Sequence, residues 1–154
     1  MSQPLLEVKN LTKHFSQKGG LFSREISSVK AVQDISLSIR QGETLGLVGE
    51  SGCGKSTLGR CIIRLIEPTS GQIFLEGQDI TKLEGESLRE LRRKMQIIFQ
   101  DPYASLNPRM TIGDALREPL EIHGLFRGKE DERVRKLLDL CGLRAESVHR
   151  YPHE

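Results

Sequence analysis

Apolar and polar positions along the first forty residues follow a period of two. Ile35, Leu37 and Ile39 alternate with Ser36, Ser38 and Arg40, as a half-buried strand requires, and Leu5 to Leu11 reads as a second short strand. Between them, residues 16–28 (SQKGGLFSREISS) are rich in Gly and Ser and predict a surface loop. Gln41-Gly42-Glu43 predicts a turn into Thr44 to Val48, a continuous apolar run of the kind that is buried on both faces of a parallel sheet. The period then becomes helical. Leu58, Cys61, Ile62, Leu65 and Ile66 recur at helical spacing and predict an amphipathic helix closed by Pro68 and Gly71.

Further along, Gln72 to Leu75 predicts a strand with Glu76-Gly77 as its turn, Glu84 to Lys94 a mixed-charge helix, and Met95 to Phe99 another buried strand. The basic cluster Arg89, Arg92, Arg93 and Lys94 reads as a solvated face rather than a binding patch. Thr111 and Asp114 resemble a capping box ahead of Ile112, Ala115, Leu116 and Leu120, a helix that Pro119 should kink. Val134, Leu137, Leu138 and Cys141 share one helical face, with Gly142 as its stop.

Composition narrows the function classes. The chain has 154 residues, long enough for one core, and 23 Lys+Arg against 21 Asp+Glu leave a net charge of +2. That balance argues against an electrostatic nucleic-acid binder or a polybasic membrane arm. No apolar run is long enough to span a bilayer, and MSQPLLEVKN lacks a signal-peptide pattern, so the expectation is a cytosolic protein. Cys53, Cys61 and Cys141 have no C-x-x-C spacing and read as small buried hydrophobes. Of the four histidines only His149 and His153 have helical spacing, and Pro152 between them opposes a metal site.

The segment Gly49-Glu50-Ser51-Gly52-Cys53-Gly54-Lys55-Ser56-Thr57 carries the chemistry, since it fits G-x-x-x-x-G-K-[ST] between a predicted buried strand and a predicted helix. Such a loop points successive main-chain N–H groups at a phosphate and adds the positive end of the helix dipole. Gly52 and Gly54 let the backbone turn and approach the phosphates, Lys55 supplies a mobile charge, and Ser56 can ligate Mg²⁺. Cys53 could have a depressed thiol pKa at the helix N-terminus or be merely a small tolerated side chain. The guanine motif N-K-x-D is missing and the one D-x-x-G match, Asp139 to Gly142, falls at a helix end, so adenine is favoured.

GESGCGKSTLGR, then IIFQDPYASLNPRMTIGDALREPL, then RYPHE together resemble the ATP-binding subunits of ABC transporters, within them the dipeptide and oligopeptide importers and their nickel-importing relatives. The resemblance spans nearly the whole chain. It implies an α/β fold: a P-loop NTPase (RecA-like) core with an N-terminal antiparallel β subdomain over residues 1–100, and the Q-loop with the start of the helical subdomain over 101–154. It also implies ATP and Mg²⁺ as cofactors. Gly49 to Thr57 would be Walker A, Gln100 the glutamine whose amide oxygen joins Ser56 near Mg²⁺, and Phe15 the ring stacked on adenine, unless that ring is plain core. Implied partners are membrane-spanning permease subunits and a second ATP-binding subunit, identical or not, with the chain peripheral on the inner face of the cell membrane; no nucleic acid is implied.

The family's signature LSGGQ, Walker B carboxylates and switch histidine would all follow RYPHE, and no apolar strand in residues 58–154 ends in a carboxylate pair. The expectation is a truncated form that binds nucleotide and does not hydrolyse it alone. Two other readings stay open at this point. One is a non-catalytic module docking on membrane subunits through residues 101–150, and the other is a small-molecule P-loop kinase with Arg109, Arg117 and Arg127 as lid arginines.

Overall fold

The computed structural model describes residues 3–18, 25–101 and 105–154. The chain divides into two compact units, Met1–Gln96 and Ile97–Glu154, and each is described by itself.

The first unit is built on an antiparallel sheet of four strands in the order β2-β1-β3-β4, with β1 Leu6–Lys18, β2 Glu25–Ile39, β3 Ser70–Leu75 and β4 Gln78–Asp79. Strand β1 sits centrally, pairing Leu6 with Ile39 of β2 on one side and with Leu75 of β3 on the other. Its inward side chains Val8 and Leu11 join Val32, Ile73 and Ile80 in the core. Helix α1, Lys55–Ile62, adds Leu58 and Cys61 to that core, and α2, Gly85–Lys94, adds Leu91.

Register changes between Val8 and Leu11, where Asn10 and its neighbour across the ladder, Asp34, both take left-handed backbone, at φ 49° and 52°. Asn and Asp tolerate that region because their short polar side chains bond locally. Here Asn10 Nδ2 donates to Asp34 Oδ1 at 2.8 Å, and Asp34 N donates to Thr12 Oγ1 at 3.1 Å. Gly71 lies against this irregularity, where a Cβ would stand 2.6 Å from Asn10 O.

Four expectations need correction. Residues 16–18 and 25–28 belong to β1 and β2 rather than to a loop, leaving only 19–24 of that stretch, which lie outside the described residues. The run Thr44 to Val48 is neither a strand nor buried: Leu45, Leu47 and Val48 are 45%, 49% and 92% exposed. Met95 to Phe99 likewise forms no strand, and Ile98 is 97% exposed. A strand buried on both faces needs ladder partners and a covering layer, and no strand among the described residues pairs with either run. Helix α1 also ends at Ile62, four residues short of the apolar stripe, in a left-handed turn at Arg64.

Helix α2 bears out the solvated reading of the basic cluster in detail. Lys94 pairs with Glu76 and Arg89 with Glu86, while Arg92 Nη2 donates to Arg64 O at 2.9 Å. The Glu76-Gly77 turn forms as expected, with φ of 51° and 79°.

The second unit packs α3, Ile112–Ile122, against α4, Glu130–Leu140, and a 3₁₀ turn at Ala145–His149, around Leu120, Val134 and Leu138. Thr111 caps α3, its Oγ1 accepting from Asp114 N at 3.1 Å while donating to Asp114 Oδ2 at 2.7 Å. Helix α3 runs unbroken through Pro119. Gly113 is buried beneath Val148, whose Cγ2 would stand 2.4 Å from any added Cβ. Arg117 ties the helices together, its Nε donating to Asp131 Oδ1 and its Nη1 to Asp114 Oδ1, both at 3.1 Å. Thr111's hydroxyl holds the Asp114 carboxyl below the usual aspartate range, and the Arg117 guanidinium does the same for Asp131. Gly142, at φ 70°, ends α4 as expected.

Candidate phosphate-binding loop

Residues 49–54 turn directly into α1, and two glycines make the turn possible. Gly54 occupies the N-cap at φ 97°, and a Cβ there would meet Ala31 O of β2 at 2.0 Å. Gly52, at φ 82°, faces open space, so its requirement is conformational alone. No side chain caps α1 and no acidic residue stands in its first turn. The first N–H groups of a helix have no acceptor within it, so the amides of Lys55, Ser56 and Thr57 converge with the helix dipole on one point where an anion gains most.

Lys55 closes the loop around its own ammonium. Its Nζ donates to Gly49 O at 2.7 Å and Glu50 O at 2.6 Å, and lies 3.5 Å from Cys53 Sγ. Cys53 N donates to Glu50 O at 3.3 Å, and Leu58 N to Gly54 O at 2.8 Å. The charge is thus held within the loop, beside the start of α1. Beside it opens a cleft of about 320 Å³ lined by Ala31, Ile35, Leu47, Val48 and Lys55 among others, at the small end of ligand-sized cavities. The Ser56 hydroxyl is exposed and Thr57 half-buried at the mouth of the helix.

The other predicted site residues fall as follows. Phe15 lies on β1 opposite Val29, 41% exposed and therefore not core, with Lys13 Nζ 5.0 Å from its ring centroid. Gln100 sits at an exposed bend in the second unit, whereas Ser56 belongs to the first. Cys53 and Cys141 are exposed, contrary to the expectation that all three thiols are buried; only Cys61 is, and burial pushes its thiol pKa up. Two features carry only a weak mark in the sequence. One is the Asn10 and Asp34 pair, for which a polar break inside a strand pattern was a signal. The other is Arg64, 5% exposed, for which an arginine in an apolar helical stripe gave little warning.

A family model described as "ABC transporter" matches residues 32–154. The chain belongs to the ABC transporter family. That membership displaces the kinase reading, whose proposed lid residue Arg117 is in any case held by two carboxylates. Among its curated relatives are the oligopeptide transport ATP-binding proteins AppF and OppF of Bacillus subtilis, 49% and 52% identical over 99% and 100% of this chain. The glutathione import ATP-binding protein GsiA of Pectobacterium atrosepticum is 49% identical over 99% of the chain and is matched over 25% of its own length. The chain spans about half the length of AppF and OppF, 47% and 49%. Among solved structures, the dimeric bacterial ABC transporter cassette MJ0796 superposes with a TM-score of 0.76 at 24% identity, covering 96% of this chain and 62% of that one. Its post-hydrolysis dimer, bound to ADP and Pi, gives 0.74. The fold is therefore the mixed α/β fold of the ATP-binding cassette. No helix among the described residues is long and apolar enough to cross a membrane.

Proposed function

We propose that this chain forms the nucleotide-gripping part of an ATP-binding subunit that energises import of peptides or similarly sized solutes. The observation that carries the reading is the lysine-centred loop at the uncapped start of α1. Its amides would receive the β- and γ-phosphate oxygens, with Lys55 turning its ammonium from the Gly49 and Glu50 carbonyls to the incoming charge. Ser56 would hold Mg²⁺, which supplies neutralisation of phosphate charge when bound. Phe15 offers an exposed ring for adenine, and the Lys13 ammonium over it enriches that site in cation–π character.

Hydrolysis calls for more positioning groups than the described residues supply, since phosphoryl transfer depends on placing water and stabilising charge. The chain alone is therefore expected to bind nucleotide without turning it over. Its partners in this reading are permease subunits and a second ATP-binding subunit, which would place it against the inner face of the membrane. The relatives' names, oligopeptide transport and glutathione import, support the importer reading and would leave the choice of solute to the permease.

Calorimetric titration with Mg·ATP and Mg·GTP tests the reading. Binding that favours ATP and weakens at least about tenfold in Lys55→Ala supports it; absence of binding by a folded sample, or indifference to the substitution, overturns it. Steady-state phosphate release by the purified chain within about tenfold of an intact relative would overturn the claim that it does not turn over.

A further inference from the structure

Helix α1 has only 8 residues, about 12 Å, so its two ends decide where the phosphate loop stands. The N-terminal end is fixed by Gly54 packing on Ala31 of β2, an edge strand of the sheet. The C-terminal end is fixed by Arg64. Its main chain closes the helix, Arg64 N donating to Cys61 O at 3.0 Å and Leu65 N to Arg60 O at 2.9 Å. It does so at φ 57°, a backbone that glycine would take more readily.

The side chain of Arg64 accounts for that choice. Its guanidinium, buried with the residue 5% exposed, donates through Nη1 to Ile80 O at 2.7 Å and to Thr81 O, and through Nη2 to Leu83 O at 3.4 Å. No carboxylate pairs with it among the described residues, so three carbonyls carry the whole charge. Those carbonyls belong to a segment riveted to the sheet. Ile80 N donates to Ile73 O at 2.8 Å, and Ile73 N to Thr81 Oγ1 at 2.7 Å. The Arg64 carbonyl in turn accepts from Arg92 of α2 at 2.9 Å.

We propose that Arg64 is a positioning residue for the phosphate loop: it mounts the far end of α1 on the segment after β4, so that the helix is held at both edges of the sheet and its N-terminal amides stand at a fixed height. A planar fork that reaches several carbonyls from one point suits this task, and a lysine ammonium does not. The proposal rests on the nucleotide reading above only for what the loop grips. The mount itself is a statement about α1.

The test uses Arg64→Gly, Arg64→Lys and Arg92→Ala in the whole chain, with amide hydrogen exchange and Mg·ATP titration. Arg64→Gly removes the fork while easing the backbone. It should speed exchange at the hydrogen-bonded amides of α1, residues 58–62, and weaken Mg·ATP by at least about tenfold, with protection at Val8 and Ile73 retained. Arg64→Lys should restore less than half of the lost affinity on a logarithmic scale. Arg92→Ala, at an exposed side chain, should weaken binding about threefold. Wild-type exchange and affinity in Arg64→Gly would overturn the proposal. So would loss of protection at Val8 and Ile73 in step with residues 58–62 together with a silent Arg92→Ala, because Arg64 would then only stabilise the fold. If the wild-type chain binds no Mg·ATP, the nucleotide reading fails and the exchange comparison still decides this one.

Discussion

Strand β2 and the run Thr44 to Val48 stand one turn apart in the chain and carry similar aliphatic side chains, yet they end differently. In β2 the aliphatics alternate with polar residues, its partner β1 is adjacent in sequence, and Val32 is buried while Leu37 and Ile39 pack against the core. In the run the aliphatics are continuous and Leu45, Leu47 and Val48 stay exposed. An antiparallel pair closes through a short connection, whereas a parallel strand needs partners delivered from distant parts of the chain and layers over both faces. The difference teaches that apolar content marks a segment as wanting burial, while the periodicity says how local its remedy is.

The contrast can be broken by truncating each side. Ile73→Ala, at a fully buried position of the paired sheet, should cost about 2–5 kcal/mol, and Val48→Ala no more than about 0.5 kcal/mol, both read from urea unfolding midpoints. Equal losses would mean that Val48 is buried in solution. Next in size, Gly54→Ala should cost about 1–3 kcal/mol and abolish nucleotide binding, because it meets Ala31 O, while Gly52→Ala, with open space around it, should cost about 1 kcal/mol or less. Calorimetry of binding and thermal unfolding on the same two samples would separate the effects.

Sharper but smaller is Asp34→Ala, which removes the partner of Asn10 across β1 and β2 and should cost about 1 kcal/mol, measured by the same denaturant curves. The smallest effect lies in the second unit. Asp114 and Asp131 have lowered pKa values in the folded state, so their contribution is fully present above the unfolded value of about 4 and is lost as pH falls through the folded values. Helical circular dichroism should therefore weaken below about pH 4, and Asp131→Asn should flatten that acid limb. An unchanged limb would mean that the Arg117 bridge contributes nothing in solution.

What could be read in advance follows from the same distinction. The strand signals of β1, β2 and β3, the cap at Thr111, the stop at Gly142 and the glycine turn into α1 are all local, fixed by residues a few positions apart, and they appear where expected. The buried strands assigned to 44–48 and 95–99 depended on long-range partners that no local pattern specifies. The true length of β1 and β2 was hidden because exposed polar residues such as Ser16 and Ser28 are held by ladder pairing to each other rather than by burial. Arg64 was hidden for the opposite reason. Its carbonyl partners lie 16 to 19 residues away in the chain and main-chain acceptors leave no mark in a sequence.

The bare stretch at Leu45, Leu47 and Val48 has a consequence for the protein's life in a cell. Holdase chaperones and proteases recognise short aliphatic segments of this kind as signs of unfinished synthesis. How readily this chain stays dispersed in solution would then depend less on the strength of its own sheet than on what comes to cover those few side chains.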